Sequence, residues 1–128
     1  MIRLVSDAPN APKAIGPYSQ ATVAAGLAFI SGQVPIDPAT GNLVSGGIEE
    51  QTSQVMKNLA AILKHLKLDF THVVSSRIYL TDLGHFQTVN ALYEKALGDH
   101  RPARATIQVG ALPKAAQVEI EMVAAIEK

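Results

Sequence analysis

Residues 48–66 constrain the fold more than any other part of the sequence. Apolar residues recur there at helical spacing, whereas Lys57, Lys64 and Lys67 lie away from the apolar stripe. Such a stripe is stable only when another element covers it, so the rest of the chain must supply a sheet or further helices. The residues that form the stripe are Val55, Leu59, Ile62, Leu63 and Leu66.

Alternation of apolar and polar residues predicts strands on both sides of this helix. The expected strands are 2–6, two within 21–34 joined by a tight turn at Gly26, then 72–82, 103–109 and 117–126. A second amphipathic helix is expected at 85–97, with Gly98 as its C-terminal cap. Loops are expected at 8–20, which is rich in proline, and at 35–47. This order predicts an α+β fold in which two helices cover one face of one sheet.

The same alternation assigns strand residues to the two faces of the sheet. In 72–82 one face carries Val74 and Ile78, and the other carries Val73, Arg77 and Tyr79. If the apolar sides of the last two strands meet the helices, Arg104 and Glu119 share the uncovered face. That face is either hydrated or packed against another copy of the chain, and its mixture of apolar and charged residues favours self-association. Clefts between subunits are common places for small-molecule sites.

Charge and cysteine content exclude several classes of protein. Eleven Lys and Arg balance eleven Asp and Glu, so no net charge attracts nucleic acid or a membrane surface. The absence of cysteine excludes disulfides, thiolate catalysis and cysteine-based zinc sites. The N-terminal segment has no long apolar run. We therefore expect one domain over residues 1–128, located in the reducing cytoplasm.

The sequence lacks the usual motifs of hydrolases and nucleotide-binding proteins, namely G-x-S-x-G, a Walker phosphate loop and G-x-G-x-x-G after a strand. Its four histidines show no metal-ligand spacing, so no metal site is expected. Gly46 and Gly47 precede the long helix, where an anion could bind, but a flexible turn is the favoured interpretation.

Four segments of the chain resemble the RidA/YjgF family of imine and enamine deaminases. They are AIGPYSQA, ISGQVPIDPATG, YLTDLGHFQTVNALYE and RPARATIQVGALPKAAQVEIEMVA, in this order over nearly the whole chain. The last segment is the most specific, because Arg104 lies between two alanines and is followed by Gly110, Leu112, a five-residue spacer and Val118-Glu119-Ile120.

The resemblance implies a chorismate-mutase-like fold that forms a homotrimer through the uncovered sheet face, with sites in the clefts between subunits. It also implies hydrolysis of small 2-imino acids, or of the 2-aminoacrylate enamines that give rise to them, to 2-oxo acids and ammonia, without metal or cofactor. The implied catalytic residues are Arg104, Glu119 and Tyr18. The implied substrate-binding residues are Ser31, Gly32, Asn90, Arg104 and Thr106.

The residue chemistry supports the three catalytic assignments unevenly. The planar guanidinium of Arg104 matches a carboxylate with two parallel donors, although a salt bridge between subunits, for instance with Glu119, is the structural alternative. Glu119 could orient or deprotonate the attacking water, or be an exposed strand carboxylate. Tyr18 follows Gly16-Pro17, which holds the chain extended, but it could be a packed loop aromatic.

The remaining residues have structural alternatives as well. Ser31 and Gly32 end a strand, where glycine permits close approach of a ligand, but a plain strand end explains them equally. Asn90 shares a helical stripe with apolar residues, so its amide needs a partner; it could cap a loop of a neighbouring chain or line its site. Thr106 departs from the family pattern, in which Cys is frequent, so a thiol plays no part here.

Two other functions fit the resemblance. Some relatives are described as single-strand endoribonucleases or translation inhibitors, and a groove lined by Arg77, Arg101 and Arg104 could bind RNA. Zero net charge and only six aromatic residues argue against nucleic acid as a partner. A non-catalytic sensor of small metabolites would keep the carboxylate-binding arginine without turnover.

Overall fold

A mixed sheet of six strands carries two α-helices on one face within residues 1–126, which are the residues that the computed structural model describes. Residues 127 and 128, the end of the expected domain, lie outside the described residues. In chain order the elements are β1 (Arg3–Val5), β2 (Ala21–Ala24), β3 (Leu27–Gln33), α1 (Ile48–His65), β4 (Val73–Leu80), α2 (Phe86–Leu97), β5 (Ala103–Gln108) and β6 (Val118–Ala125).

The strand order across the sheet is β1-β2-β3-β6-β4-β5. The strand pairs are antiparallel except β4 and β5, which are parallel and are connected through α2. A parallel pair needs such a crossover, because a tight hairpin joins only antiparallel strands. The last strand in the order of the chain, β6, therefore lies in the middle of the sheet. The predicted α+β architecture is confirmed, and the strand β5 lies at one edge.

The long helix α1 is capped at its N-terminus by a side chain of its own first turn. The amide of Gly47 donates to Oε1 of Glu50 at 2.8 Å, so a side chain of the helix occupies the place where an anion would bind. Glu49 and Glu50 in the first turn, with Lys64 and His65 in the last, complement the helix dipole. This arrangement supports the interpretation of Gly46 and Gly47 as a turn.

The core lies between the sheet and the two helices. The predicted stripe of α1 is buried at four of its five positions, and Leu66 is only partly buried. Alternate residues of β4 and β6 meet it from the sheet, and burying each large side chain contributes roughly 1.5–3 kcal/mol. The largest of these sheet residues are Ile78, Leu80, Ile120 and Met122.

The predicted alternation of β4 is wrong at its start. Val73 is buried at 1% exposure and Val74 is 44% exposed, the reverse of the expected assignment. The ladder between β4 and β6 shifts register between Val73 and Ser75, so an extra residue in β4 reverses the faces on one side of the bulge. From Ser76 onward the predicted faces are correct, with Ser76 and Ile78 buried towards the helices.

The predicted faces of β5 are also wrong. Arg104 pairs with buried Ser76, so it lies on the helix-covered side, whereas Ile107 pairs with Tyr79 and is 45% exposed on the other side. Because β5 is an edge strand, the part of α2 above it offers an amide and two aromatic rings rather than a closed apolar core. A guanidinium suits that environment. Glu119 lies on the uncovered side as predicted, so Arg104 and Glu119 do not share a face.

The uncovered side of the sheet, here called the open face, carries charged and apolar residues together. Its middle is occupied by Arg77, Tyr79 and Glu121. Exposed apolar side chains flank them on both sides: Leu4 and Phe29 towards β1, and Ile107 on β5. Among residues 1–126 we find no helix that combines the length and hydropathy needed to cross a bilayer.

Candidate active site

The guanidinium of Arg104 is held by residues of α2. Its Nη1 donates to Oδ1 of Asn90 at 2.7 Å, and its Cζ lies 5.7 Å from the ring centre of Phe86 and 5.2 Å from that of Tyr93. Residues 86, 90 and 93 are four and three positions apart, so one face of the helix presents all three. We call these four residues the Arg104 cluster. The Asn90 amide oxygen has its partner within the same chain.

Tyr93 links this cluster to the core. It is 6% exposed, and its hydroxyl donates to Oγ of Ser76 at 2.8 Å. Burial raises the pKa of Tyr93 above its usual range, so the phenol remains a donor at neutral pH. Since Ser76 is the register partner of Arg104 in the neighbouring strand, the hydrogen bond fixes the ring beside the arginine.

Free donors remain on Arg104 after these contacts. Within residues 1–126 its hydrogen bond goes to Asn90, and no carboxylate lies within 4.0 Å of its nitrogens. Arg104 and Asn90 line an open cavity of about 400 Å³ with Tyr93, Glu94, His100, Arg101 and Pro102. Nε and Nη2 are thus available for an anion. Thr106 lies two residues further along β5 on the same side and is partly buried.

Glu119 occupies the open face directly over Gly32. A Cβ added at Gly32 would lie 2.9 Å from Cδ of Glu119 and closer still to Oε2, so the carboxylate lies where a side chain would be. The ladder from β3 to β6 is irregular between Ile30 and Gln33, which leaves Ser31 and Gly32 out of regular pairing. Glycine at position 32 is therefore required for the close approach of a carboxylate.

Burial raises the pKa of Glu119 above its usual range, and the nearby charge of Glu121 raises it further. Glu121 has partners of its own: the hydroxyl of Tyr79 donates to its Oε1 at 2.5 Å, and Nη1 of Arg77 lies 3.8 Å from the same oxygen. The hydrogen bond to Glu121 is the main reason why the pKa of Tyr79 is raised. Glu121 therefore has a hydrogen-bond donor and a cation beside it, whereas burial and the charge of Glu121 both disfavour the ionised form of Glu119.

Ser31 and Tyr18 border a cavity that Glu121 also lines. The hydroxyl of Ser31 donates to the carbonyl of Ser19 at 2.6 Å, and its amide donates to the carbonyl of Gln20 at 3.0 Å. These bonds hold the strand end against the loop that carries Tyr18, which is 54% exposed. The cavity has a volume of about 760 Å³ and is lined in part by Leu4, Tyr18, Phe29, Ser31 and Glu121.

The structure divides the seven predicted site residues into two groups. Arg104, Asn90 and Thr106 lie on the helix-covered side of β5 and α2. The other four, which we call the Glu119 cluster, lie on the open face: Tyr18, Ser31, Gly32 and Glu119. Arg104 and Glu119 are therefore apart within one chain, and the salt bridge suggested between subunits stays a prediction.

Sequence reasoning missed three residues that shape these groups. Phe86 and Tyr93 were expected to be core residues of a helical stripe, but they also surround Arg104. Glu121 was expected only as a polar strand residue, but its charge acts on Glu119. The spacing of Phe86, Asn90 and Tyr93 was visible in the sequence, and the signal was an amide within an apolar stripe.

Within one chain the arginines proposed for an RNA groove lie apart, and a groove formed between subunits stays a prediction. Arg77 lies on the open face beside Glu121, whereas Arg104 lies on the opposite side of the sheet. Nη2 of Arg101 lies 3.1 Å from Oε2 of Glu94, which neutralises its charge. In the described chain, residues 1–126, no group of three or more His, Asp or Glu is placed to hold a metal ion.

Many known proteins and solved structures are similar to this chain over most of its length. The family model for Endoribonuclease L-PSP matches residues 8–126. A human 2-iminobutanoate/2-iminopropanoate deaminase is 48% identical over 124 residues, which are 97% of this chain and 90% of the human protein. The structure of YyfA from Yersinia pestis, of the conserved Rid protein family, has a TM-score of 0.94 at 43% identity and covers 98% of this chain and 99% of YyfA. The structure of TdcF from E. coli with bound serine has a TM-score of 0.90 at 32% identity, over 96% of this chain and 98% of TdcF.

Proposed function

This chain belongs to the Endoribonuclease L-PSP family, the family of the RidA and YjgF proteins, and we propose that it hydrolyses 2-imino acids. The substrates are small imines such as 2-iminopropanoate and 2-iminobutanoate, and the 2-enamino acids that tautomerise to them. Water replaces the imine nitrogen, so the products are a 2-oxo acid and ammonia. The observation that carries the proposal is the guanidinium of Arg104, which its own chain orients while leaving donors free.

Arg104 binds the carboxylate that all such substrates share. With Nη1 engaged by Asn90, Nε and Nη2 form one edge of the guanidinium with two nearly parallel donors. That edge matches the two oxygens of a carboxylate. Asn90 and Thr106 complete this side of the site, and the serine bound by TdcF is a ligand of the same chemical class.

Glu119 serves as the general base in this proposal. Its raised pKa makes it a stronger base than an exposed carboxylate, and it has no cation of its own chain within residues 1–126 to neutralise it. It takes a proton from water as the oxygen adds to the imine carbon, and it returns this proton to the nitrogen as the carbinolamine expels ammonia and leaves the oxo group. Tyr18, Ser31 and the backbone at Gly32 position the substrate beside it.

A complete site requires two copies of the chain, because the Arg104 and Glu119 clusters lie on opposite faces of one sheet. We propose that the single domain forms a homotrimer through the open face, where Phe29 and Ile107 are 43% and 45% exposed. Assembly of this kind covers apolar surface and brings the edge strand β5 of one subunit to the Glu119 cluster of the next. A cytoplasmic location is part of the proposal, since the chain has no cysteine that would use an oxidising compartment.

The test couples the purified protein to an amino-acid oxidase or a dehydratase that generates the imine in the assay. The appearance of the 2-oxo acid is followed against the uncatalysed hydrolysis, with light scattering on the same sample for the mass. We expect the protein to accelerate formation of the 2-oxo acid and to have the mass of a trimer. Binding of a 2-oxo acid without acceleration would identify a sensor, and cleavage of single-stranded RNA without acceleration would identify a ribonuclease; either result contradicts the proposal.

A further inference from the structure

We propose that Tyr93 is a positioning residue: anchored to Ser76, it sets the plane of the Arg104 guanidinium and thereby the affinity for the substrate carboxylate. The inference rests on the proposed function of Arg104 and extends it to two residues that act through Arg104. The structural basis is a continuous path from the core to the arginine, consisting of Ser76 on β4, Tyr93 on α2 and Arg104 on β5.

Arg104 needs such support because of where it lies. It is exposed on an edge strand, and an arginine side chain that is free to move loses rotamer entropy when a ligand orders it. Asn90 holds only one of its nitrogens, which leaves rotation about that contact open. The ring of Tyr93, 5.2 Å from Cζ, restricts that rotation.

Tyr93 supplies this restriction better than Phe86 does, because the two rings differ in burial. Phe86 is 39% exposed at the first residue of α2, and its ring has no polar group that could anchor it. Tyr93 is almost fully buried, and the bond between its hydroxyl and Ser76 joins α2 to β4 beside the backbone of Arg104. A displacement of that ring therefore moves the surface against which the guanidinium lies.

The experiment compares Tyr93→Phe and Ser76→Ala, each of which removes the anchoring hydrogen bond and keeps an aromatic ring at position 93. Both variants are expected to raise KM about 3- to 10-fold while kcat stays within about twofold of the wild type, because weaker carboxylate binding affects ground state and transition state equally. The dissociation constant for pyruvate, measured by calorimetry as a probe of carboxylate binding, is expected to rise by the same factor.

A third readout reports on Arg104 itself. The Nε–H resonance of Arg104, identified through its loss in Arg104→Lys, is expected to broaden or shift in both variants. The control is Ile62→Val in the buried stripe of α1, a substitution of similar cost to stability that lies away from the Arg104 cluster. Ile62→Val should lower the midpoint of thermal unfolding without changing KM, the dissociation constant for pyruvate or the Nε–H resonance of Arg104.

The outcomes separate this inference from the proposed function. Wild-type KM and an unchanged Arg104 resonance in both variants would overturn the inference, and an equal rise of KM in Ile62→Val would do the same. If pyruvate binding weakens in Tyr93→Phe and Ser76→Ala as expected but the wild-type protein hydrolyses no imine, the inference is supported and the proposed function is contradicted. A protein that neither binds pyruvate nor hydrolyses imines would contradict both.

Discussion

Arg104 and Glu119 carry opposite charges, and the chain treats them in opposite ways. Arg104 is exposed, but Asn90, Phe86 and Tyr93 hold its guanidinium from the side of α2. Glu119 is half-buried over Gly32, and burial and the charge of Glu121 both disfavour its ionised form. One chain therefore orders its cation and leaves its carboxylate destabilised.

This difference fits two different tasks. A group that binds a carboxylate gains affinity from being held in place before the ligand arrives. A general base gains reactivity from an environment that raises its pKa towards the working pH. The two clusters are thus expected to respond differently to substitution, with binding affected on one side and the rate of the chemical step on the other.

The largest effect is expected from removing the arginine. Arg104→Ala should lower kcat/KM roughly 10²- to 10⁴-fold, since each charged hydrogen bond is worth about 1.5–3 kcal/mol and two are lost. Arg104→Lys should also be poor, because an ammonium cannot reproduce two parallel donors. Activity is measured by 2-oxo acid formation, and the mass by light scattering.

The mass distinguishes this interpretation from a salt bridge between subunits. The contacts of Arg104 within residues 1–126 are made inside its own chain, so both variants should keep the wild-type mass. Dissociation of Arg104→Ala with normal activity in Arg104→Lys would show that the residue serves assembly rather than catalysis.

Replacing the base should change rate and leave affinity intact. Glu119→Gln keeps the shape of the side chain but loses its basicity, so kcat is expected to fall about 10²-fold. The dissociation constant for pyruvate should stay within about twofold of the wild type, in contrast to Arg104→Ala. Steady-state kinetics and calorimetry on the same preparation make the comparison, and wild-type kcat would mark Glu119 as an ordinary strand carboxylate.

A smaller effect is expected when Glu119 is displaced rather than replaced. In Gly32→Ala the new Cβ occupies the position of the carboxylate, so the side chain must move; a loss of kcat on the order of 10-fold is expected. Gly110→Ala is the matched control, because a Cβ there meets nothing within 4 Å. Equal activities of the two variants would show that the position of Glu119 over residue 32 is unimportant.

The smallest effect concerns pH. Glu119 acts as a base only when ionised, so kcat/KM should fall as the pH drops through its raised pKa. Glu121→Gln removes a charge that raises this pKa, so the acid limb of the profile should move to lower pH. Glu49→Gln in the first turn of α1 is the control and should leave the limb in place. If the acid limb does not move in Glu121→Gln, the limb reports the titration of a group other than Glu119.

The fold was predictable because its elements show strong periodicity. The predicted positions were correct within a residue or two for the stripe of α1, the glycine that ends α2 and the alternation of β6. The errors occurred at Val73 and Val74, where a bulge reverses the faces, and at Arg104, where an edge strand turns its polar side to the helix. Periodicity assigns residues to two faces but does not say which face the helices cover.

The candidate site was predictable as a set of residues but not as an arrangement. A resemblance can transfer Tyr18, Asn90 and Glu119 individually, yet it cannot show that Asn90 binds Arg104 or that Glu119 lies over Gly32. Those relations depend on long-range pairing, since β6 joins the sheet between β3 and β4. A contact between α2 and β5 is likewise a property of packing.

The position of β6 between β3 and β4 also orders the events by which the site forms. Ser76, Phe86, Asn90, Tyr93 and Arg104 all belong to the β4–α2–β5 unit, residues 73–108, and the side-chain hydrogen bonds among them join residues 14 and 17 positions apart. The Glu119 cluster joins residues from both ends of the described chain and forms only when β6 is inserted. Local contacts form faster than distant ones. We therefore expect the Arg104 cluster to form first during synthesis and the Glu119 cluster to follow when β6 completes the sheet.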